Sequence, residues 1–372
     1  MSIVWRSGTG GASDAFLDLP AIVYRDDPRW IPEEASTVAR AFSRENAWFD
    51  QGEAATLCLP GEARLAVFIN GACTIDGERA AFFGYWEQTA TAASARLFDA
   101  AADWARARGC TVLYGPIDFT TFGRYRVSLG SEPGGLPFPG EPYQAPGYAE
   151  ALTALGFHEV RRYATQLGPT PREAVERKRP ALDSARAAGY SFETLDARAW
   201  LAFVPELYAV ADAIFGDGFA YTPVSRAYFE AGYGESVARR LCPHTSLVAR
   251  AADGSLAGFL LAFPHYGPLA VQGAARDRVP ASRLSFAEHA ARLCASGERT
   301  AIAKTAGVMP EHRRRGVLDA MSVLAIERGL PHYDRWMAAL VRDGNASGRF
   351  GAPYSAAERS YALYARRIGS DA

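Results

Sequence analysis

Apolar and polar positions alternate along the first half of the chain in a pattern that predicts strands separated by a helix. Three runs have strand-like composition and are punctuated by Gly-containing turns: residues 63–71, 72–87 and 110–118. Before the third run, residues 94–109 begin with Ser94 as an N-cap, place apolar residues at helical spacing and end in Gly109. A second helix and a final strand follow over residues 149–167. The pattern predicts a strand–helix–strand unit.

The second half of the chain repeats this alternation with longer insertions. Residues 189–196 are predicted to form a strand and residues 200–215 a helix, and a hairpin turns at Asp253–Gly254. An aromatic-rich segment, 216–233, precedes the hairpin, and an insertion, 265–299, follows it. Loops at the edges of a rigid scaffold ordinarily set specificity, so both segments are candidate walls of a site.

Residues 300–330 form the most informative stretch of the sequence. A short apolar run reads as a strand, which Pro310 ends, and three arginines with Gly316 follow. Apolar residues then fall at the spacing of an amphipathic helix: Val317, Leu318, Met321, Leu324 and Ala325. The unit is therefore predicted to be a strand, a basic turn and a helix.

Such a basic turn has the chemistry of an anion site. The first turn of a helix leaves N–H groups unpaired and carries the positive end of the helix dipole. Arginines around the turn add charge-assisted hydrogen bonds to phosphate oxygens, and Gly316 lets a bulky anion approach the backbone. The alternative interpretation is a solvated basic helix start, which carries no function.

The length of 372 residues exceeds that of one ordinary core and predicts two domains. Residues 168–180 are polar, charged and bracketed by prolines, which is typical of an interdomain connector. We therefore expect domains at residues 1–167 and 181–372.

Composition and charge narrow the class of protein. The formal net charge of −1 gives no global attraction to nucleic acid or to an anionic membrane. Five scattered cysteines without a C-x-x-C pair predict free thiols in a reducing compartment and no metal site. The sequence has neither the apolar region of a signal peptide nor a run long enough to span a bilayer, so a cytoplasmic protein without a membrane partner is expected.

The segment PEHRRRGVLDAM resembles the pyrophosphate-binding segment of the GNAT superfamily of N-acetyltransferases, (Gln/Arg)-x-x-Gly-x-(Gly/Ala) at the start of a helix. Arg313 and Gly316 take the first two motif positions, and the third is Leu318. Seven segments in order resemble a poorly characterised bacterial family of tandem GNAT-fold proteins: FLDLPAIVYRDDPRWIPEE, ERAAFFGYWE, GPIDFTT, ALGFHEV, GDGFAYTPVSRAYF, DGSLAGFLLAFP and PEHRRRGV.

The resemblance implies an α/β fold of two tandem GNAT-like domains, each a mixed, mainly antiparallel sheet flanked by helices. It also implies acyl transfer to an amine from a thioester, either acetyl-CoA or another acyl-CoA, or a phosphopantetheine thioester on an acyl carrier protein. No Arg-Gly turn precedes the helix of the first half, so we expect the first domain to lack the donor loop. The expected cofactor-binding residues are Gly307, Val308, Arg313, Arg314, Arg315, Gly316, Val317, Leu318 and Asn345.

Three residues are candidates for the proton transfers that acyl transfer needs. His265, at the end of a predicted strand, and Tyr221, in the aromatic segment, are candidate bases. Tyr354 is the candidate that would protonate the leaving thiolate, although it lies two residues beyond the usual superfamily position. Each has a structural alternative, because most histidines at strand ends and most tyrosines only pack and hydrogen-bond.

Two other functions remain open at this point. Tandem GNAT folds also occur in aminoacyl-tRNA-dependent transferases, which take an ester donor, although the near-neutral charge of this chain makes a nucleic acid partner unexpected. A non-catalytic acyl-CoA binder or partner protein is the second alternative. For the acceptor, Phe219, Tyr221 and Tyr266 predict a small molecule with an apolar or planar surface.

Overall fold

The computed structural model describes residues 2–71, 73–130, 135–271, 278–345 and 348–369. The first half of the chain contains β1 (Val4–Ser7), α1 (Asp14–Val23), α2 (Ala35–Ala41), β2 (Gly52–Leu59), β3 (Ala63–Asn70), β4 (Thr74–Ile75), β5 (Glu78–Gln88), α3 (Thr91–Arg106), β6 (Val112–Gly115), β7 (Val127–Ser128), α4 (Tyr148–Ala154) and β8 (His158–Pro169). The second half contains α5 (Arg172–Ala187), β9 (Ser191–Thr194), α6 (Ala197–Phe215), α7 (Arg226–Tyr233), α8 (Glu235–Ala238), β10 (Leu247–Arg250), β11 (Leu256–Pro264), α9 (Gly267–Ala270), α10 (Phe286–Ala295), β12 (Thr300–Val308), α11 (Val317–Gly329), β13 (Arg335–Arg342), α12 (Gly348–Gly351) and β14 (Ala357–Arg367).

The strands form one sheet of 14 strands, whose main path runs β1-β2-β3-β5-β6-β14-β8-β13-β12-β11-β10-β9. Among the described residues, the strand pairs are antiparallel except for β5 with β6 and β12 with β13. Apolar clusters on both faces bury the sheet beneath the helices. The predicted class, a mixed and mainly antiparallel sheet flanked by helices, is confirmed.

The two halves repeat one topology and exchange a strand. Each half has a series of antiparallel strands that ends in a parallel pair joined by a long helix, α3 in one half and α11 in the other. The last strand of each half then inserts beside the parallel pair of the other half: β14 pairs with β6, and β8 pairs with β13. These two strands also pair with each other, from Ala357↔Leu167 to Ala365↔His158. The expected separate sheets are therefore joined into one.

The segment 168–180 does not have the structure of an open linker. Its first residues end β8, and the residues from Arg172 belong to α5, which continues through Pro180. Its polar residues form one face of a packed helix, where Lys178 bonds Asp319 at 2.9 Å and Arg179 binds Glu327 in a bidentate pair. The opposite face buries apolar residues against α11. The polar composition of this segment is therefore that of the exposed face of an amphipathic helix.

Two predicted element boundaries differ from those in the structure, and one predicted hairpin is present. The helix expected from residue 94 begins at Thr91, and Ser94 lies inside it, where its hydroxyl accepts a 2.8 Å hydrogen bond from the Trp86 indole. The strand expected over 110–118 ends at Gly115, which precedes a cis peptide bond to Pro116. The predicted hairpin is confirmed: β10 and β11 are antiparallel, and Gly254 in their turn has φ +85°.

A buried acid, Glu87, makes the stability of the first half dependent on pH. Its Oε2 accepts hydrogen bonds from the Tyr24 and Tyr148 hydroxyls, at 2.7 and 2.6 Å. Burial raises the pKa of Glu87 to about 7, although the nearby Arg64 guanidinium opposes this shift. The folded state therefore holds this proton more tightly than the unfolded chain does.

We expect Glu87→Gln to reduce the loss of stability between pH 5 and 8. A carboxyl whose pKa rises on folding stabilises the fold fully below its unfolded pKa of about 4.3, and that contribution disappears as pH rises through about 7. Glutamine cannot ionise, so the difference in unfolding free energy between variant and wild type should change by about 1–3 kcal/mol across this range. Urea unfolding at several pH values measures it, and parallel curves for the two proteins would refute this assignment.

Candidate active site

The parallel pair in the second half opens into a V-shaped gap. Pairing between β12 and β13 runs from Thr300↔Arg335 to Ala303↔Ala338, although β12 continues to Val308 and β13 to Arg342. On its other side, β12 has a bulge that leaves Lys304 between the pairs Leu261↔Thr305 and Ala262↔Ala303. A bulge re-aims side chains. Because pairing with β13 ends at Ala303, the backbone groups of β12 beyond that residue face the gap on this side instead of a strand partner.

A cavity of about 880 Å³ occupies this gap and extends to the basic turn before α11. Residues of β12 and β13 line its centre, and the turn at 312–316 lines one end. The first half of the chain contributes a wall as well, through Thr121, Phe122, Gly123, Tyr125, Arg126 and Tyr163. The cavity therefore belongs to both halves, and its size is that of a ligand site.

The basic turn has the backbone geometry of an anion site. Arg314 and Gly316 both adopt left-handed conformations, with φ +64° and +76°, and Gly316 is the N-cap of α11. The N–H groups in the first turn of a helix have no partner within the helix, so here they are available to an anion. Eight of the nine expected cofactor-binding residues line the cavity: Gly307, Val308, Arg313, Arg314, Gly316, Val317, Leu318 and Asn345. Arg315 is exposed and is not among the lining residues.

Arg313 anchors the turn as well as lining the cavity. Its guanidinium donates to the carbonyl oxygens of Val308, Ala213 and Ile214 at 3.2–3.4 Å and lies 3.5 Å from the Asp217 carboxylate. These bonds tie the turn to the last residues of α6. Arg313 is therefore partly committed to the fold, whereas Arg314 forms no ion pair with a described carboxylate.

Lys304 lies at the other end of the cavity. It is half-buried and lies with its Nζ 5.9 Å from the centroid of the Phe138 ring. Burial, together with the charges of Arg126 and Arg240 and against the opposing effect of Glu141, lowers the pKa of Lys304 to about 7. An amine with this pKa is neutral for about half of the time near pH 7, so it can accept a proton there.

Arg126 lies beside Lys304 at this inner end. Its guanidinium carbon is 3.5 and 4.0 Å from the ring centroids of Tyr125 and Tyr163. Next to Arg126, the cavity wall contains Leu340, a non-glycine residue at φ +58°, whose N–H donates to the Thr165 hydroxyl at 3.1 Å. Strained backbone of this kind persists where surrounding contacts hold it, commonly at functional sites.

The structure places the three candidate catalytic residues differently. Tyr221 lines the cavity, and its hydroxyl donates to the Asp212 carboxylate; burial and then this hydrogen bond raise its pKa. His265 is buried and is not among the lining residues. Its Nδ1 accepts from the Gly267 N–H at 3.2 Å, and burial, followed by the charge of Arg359, lowers its pKa to about 4. Tyr354 is also absent from the lining, with its ring 5.3 Å from the Arg177 guanidinium.

The expected aromatic wall is formed in part. Phe219 and Tyr221 line the cavity, whereas Tyr266 is buried in a separate apolar cluster under the 265–299 insertion and donates to the Arg240 carbonyl at 2.9 Å. Part of this insertion, residues 272–277, lies outside the described residues. The 216–233 segment and the first half therefore line the cavity, and Tyr266 does not.

The corresponding gap in the first half is filled by the chain itself. β5 and β6 pair only from Ala80↔Val112 to Phe82↔Tyr114, and β5 then bulges at Tyr85. The Asp118 carboxylate accepts the Tyr85 N–H at 2.7 Å, and Arg124 pairs with Asp118 at 3.1 Å. A space of only about 10 Å³ remains among these residues. Among the described residues, this gap therefore has no room for a ligand of the size that the second cavity could take.

Sequence comparison and structure comparison give different results. No protein-family model matches the sequence, and no curated protein sequence matches it. The structure is similar to the GCN5-related glucosamine N-acetyltransferase region of a fungal multi-domain GH3 β-N-acetylglucosaminidase, with a TM-score of 0.55 and 13% identity. That similarity covers 98% of this chain and 38% of the fungal chain.

Two further solved structures cover nearly the whole chain. A GCN5-related N-acetyltransferase from Anabaena variabilis has a TM-score of 0.50 and 9% identity over 98% of this chain and 73% of its own. One from Sphaerobacter thermophilus has a TM-score of 0.47 and 12% identity over 98% and 96%.

In the described part of the chain, no helix is long and apolar enough to cross a membrane. Among the same residues, no group of three His, Cys, Asp or Glu side chains could hold a metal ion. The parallel pair that opens beside a helix, and the similarity over 98% of the chain, lead to one structural conclusion. This chain has the fold of the GCN5-related N-acetyltransferases.

Proposed function

We propose that the protein is an N-acyltransferase that moves an acyl group from a coenzyme A thioester to the amine of a small molecule. The observation that carries this proposal is the single cavity that joins an anion-binding turn to a gap in the sheet containing Lys304. Donor and acceptor could therefore meet in one place. A phosphopantetheine thioester on a carrier protein has the same reactive arm and is the second donor that the cavity could take.

The donor would lie along β12. Its pyrophosphate would accept hydrogen bonds from the first-turn amides of α11 and from Arg314. From Val308 back to Lys304, the strand covers about 13 Å at its usual rise per residue, so an extended arm laid along it would bring the thioester to the bulge. Backbone N–H groups of β12 that face the gap would polarise the thioester carbonyl.

Lys304 would act as the base in the reaction. The acceptor amine attacks the thioester carbonyl carbon, Lys304 takes the proton that the amine loses, and the C–S bond breaks to release the thiolate. The thiolate then takes a proton from water or from a side chain. Tyr221, predicted from the sequence as a base, lines the cavity as a neutral hydroxyl and is proposed here as the donor of this proton. Tyr354, the residue predicted for this step, and the candidate base His265 are not among the lining residues.

We also propose the division into two GNAT-like units, 1–167 and 181–372, with the donor site in the second. The repeated topology supports this division, although the exchange of β8 and β14 means that each unit is completed by the other. The filled gap at Asp118 supports a first unit that forms a wall of the acceptor site. We propose no membrane partner and no nucleic acid partner for this reaction.

Arg314→Ala should weaken binding of coenzyme A, and Arg315→Ala should not. Arg314 lines the cavity and Arg315 does not, although both are exposed arginines of one turn, so Arg315 is a matched control. Loss of hydrogen bonds to a charged phosphate typically costs about 1.5–3 kcal/mol, which is roughly a 10- to 150-fold loss of affinity. Titration calorimetry measures both variants, and Arg313 is avoided because it also anchors α6.

Other donors give a different result in the same titration. Equal affinities for wild type and Arg314→Ala would show that the turn does not hold the donor phosphate. Failure of the wild type to bind coenzyme A, together with binding of an acyl carrier protein or an aminoacyl-tRNA, would identify that molecule as the donor instead of coenzyme A. Binding of acyl-CoA without any turnover over a panel of amines would indicate a non-catalytic binder.

A further inference from the structure

Arg126 enters the cavity from the first half with part of its guanidinium unpaired. Its side chain is buried, with 6% of its surface exposed. It donates to the Tyr125 hydroxyl and, at 3.4 Å, to the Leu340 carbonyl oxygen. Its Nε is buried without a hydrogen-bond partner among the described residues. Burying a cation with an unpaired N–H donor is costly, and an anion bound in the cavity beside the guanidinium would reduce that cost.

The charges around Arg126 are not balanced by the protein. Neither Arg126 nor Lys304 forms an ion pair with a carboxylate in the described part of the chain. The nearby Glu141 is already committed, because both of its oxygens pair with Arg359 at 2.7–2.8 Å and it also accepts from the Tyr361 hydroxyl. The inner end of the cavity therefore carries unneutralised positive charge in a buried setting.

The carboxylates that line the cavity lie at the end formed by the basic turn. Asp319 pairs with Lys178 at 2.9 Å, and Asp217 lies 3.5 Å from Arg313. Both belong to the neighbourhood of the basic turn, where the donor phosphates would bind. These carboxylates therefore do not neutralise the charge of Arg126, which lies at the inner end of the cavity beside Lys304.

We propose that Arg126 binds a carboxylate of the acceptor, so that the molecule acylated is an amino acid or another amine that carries a carboxylate. The Arg126 guanidinium contacts the rings of Tyr125 and Tyr163 and lines the cavity, so its charge is held in one place where a carboxylate can form a charge-assisted hydrogen bond with it. With the carboxylate at Arg126, the amino group of a small amino acid would lie toward Lys304. This inference rests on the proposed function and names the substrate class of the same site.

The rest of the acceptor would contact apolar and aromatic surface. Phe219, Tyr221 and Tyr233 line the cavity, and the Arg161 guanidinium covers Phe219 at 4.3 Å. Such a surface favours an acceptor with an apolar or planar side chain. The carboxylate bound at Arg126 could also belong to the acyl group, as in a dicarboxylic acyl thioester. The position of Lys304 beside Arg126 favours the acceptor amine as the molecule that carries the carboxylate, because the base must lie next to the amine.

A binding experiment with two matched probes tests the carboxylate site. Phenylacetate and the neutral phenylacetamide are titrated into the full-length protein in the presence of saturating coenzyme A. We expect wild type to bind phenylacetate at least about tenfold more tightly than phenylacetamide, because a charge-assisted pair forms with the carboxylate alone. Arg126→Gln should remove this preference, and Arg126→Lys should retain part of it. Arg162→Gln, which changes an exposed cation paired with Glu159 and outside the lining, should leave it unchanged.

The outcomes separate this inference from the proposed function. Coenzyme A affinity that is equal in wild type and Arg126→Gln would show that the donor site and the fold remain intact. Against that background, equal binding of the two probes, absence of binding by either, or a carboxylate preference that survives in Arg126→Gln would each overturn the inference. Failure of the wild type to bind coenzyme A would instead contradict the proposed function.

Thiol release then distinguishes the two sources of the carboxylate. With acetyl-CoA, phenylalanine should be acylated faster than phenethylamine, and Arg126→Gln should lose this difference. Faster release from succinyl-CoA than from acetyl-CoA with phenethylamine, lost in Arg126→Gln, would assign the carboxylate to the acyl group and overturn the assignment to the acceptor.

Discussion

Lys304→Met is expected to lower turnover of an identified acceptor by about 10²–10⁴-fold, the range typical of a general base. Affinity for coenzyme A should stay nearly unchanged, because Lys304 lies at the end of the cavity away from the phosphate-binding turn. Lys304→Arg is the control that keeps a cation. Arginine remains protonated throughout the working range, so it cannot act as a base and should be as inactive as methionine. Activity that survives in Lys304→Arg would show that the position needs only positive charge.

The same assignment predicts the pH profile of wild type. Burial lowers the pKa of Lys304 to about 7, and a lysine acts as a base only in its neutral form. The value of kcat/KM should therefore rise with pH up to about 7 and level off above it. The sequence contains only two lysines, Lys178 and Lys304, so NMR of reductively methylated protein can assign the titration directly. A pKa near 10 for both lysines would rule out Lys304 as a base near neutral pH.

Glu33→Gln is expected to lower the free energy of unfolding by about 3–5 kcal/mol, the usual cost of breaking a buried ion pair. Glu33 joins two arginines, with Arg64 at 2.6 Å and Arg124 at 2.7 Å. The Arg64 side chain is fully buried, so loss of the carboxylate would leave its charge uncompensated. Urea unfolding measures the change, and Glu53→Gln is the control, because its 2.9 Å pair with Arg108 lies at the surface and should contribute less than about 1 kcal/mol.

The pH dependence of this pair has the opposite sign to that of Glu87. Burial alone would raise the pKa of Glu33, but the Arg64 and Arg124 guanidiniums overcome this effect and lower it to about 2. Its contribution is therefore present above the unfolded pKa of about 4.3 and is lost as pH falls from there toward 2. Wild type should lose stability in this acid range more steeply than Glu33→Gln. Equal slopes would show that Glu33 is not held ionised.

Local sequence patterns were sufficient to predict the basic turn and the helix that follows it. Pro310, the three arginines and Gly316 each have a conformational or chemical reason to form a turn before a helix, and those reasons act within a few residues. For the same reason, the hairpin at Asp253–Gly254 was predictable. The strand exchange was not, because alternation along β8 and β14 specifies a strand without specifying its partner.

The proposed acceptor end depends on contacts that a single sequence does not reveal. Lys304 is one lysine in an apolar strand, and the role we propose for it comes from the bulge and the gap beside it. A lysine in an otherwise apolar run was the one available signal. Arg126 reaches the cavity from a residue far away in sequence, across the interface of the two halves. His265 and Tyr266 were singled out by residue type, but tertiary packing buries both away from the cavity.

A crystal structure of the protein with acetyl-CoA tests the central claim most directly. The account predicts that the pyrophosphate binds at the turn from Arg314 to Leu318 and that the pantetheine arm lies between β12 and β13. The acetyl group should then lie near the bulge at Lys304, with the gap between β5 and β6 still closed by Asp118. A donor bound between β5 and β6, or bound away from the 880 Å³ cavity, would contradict it.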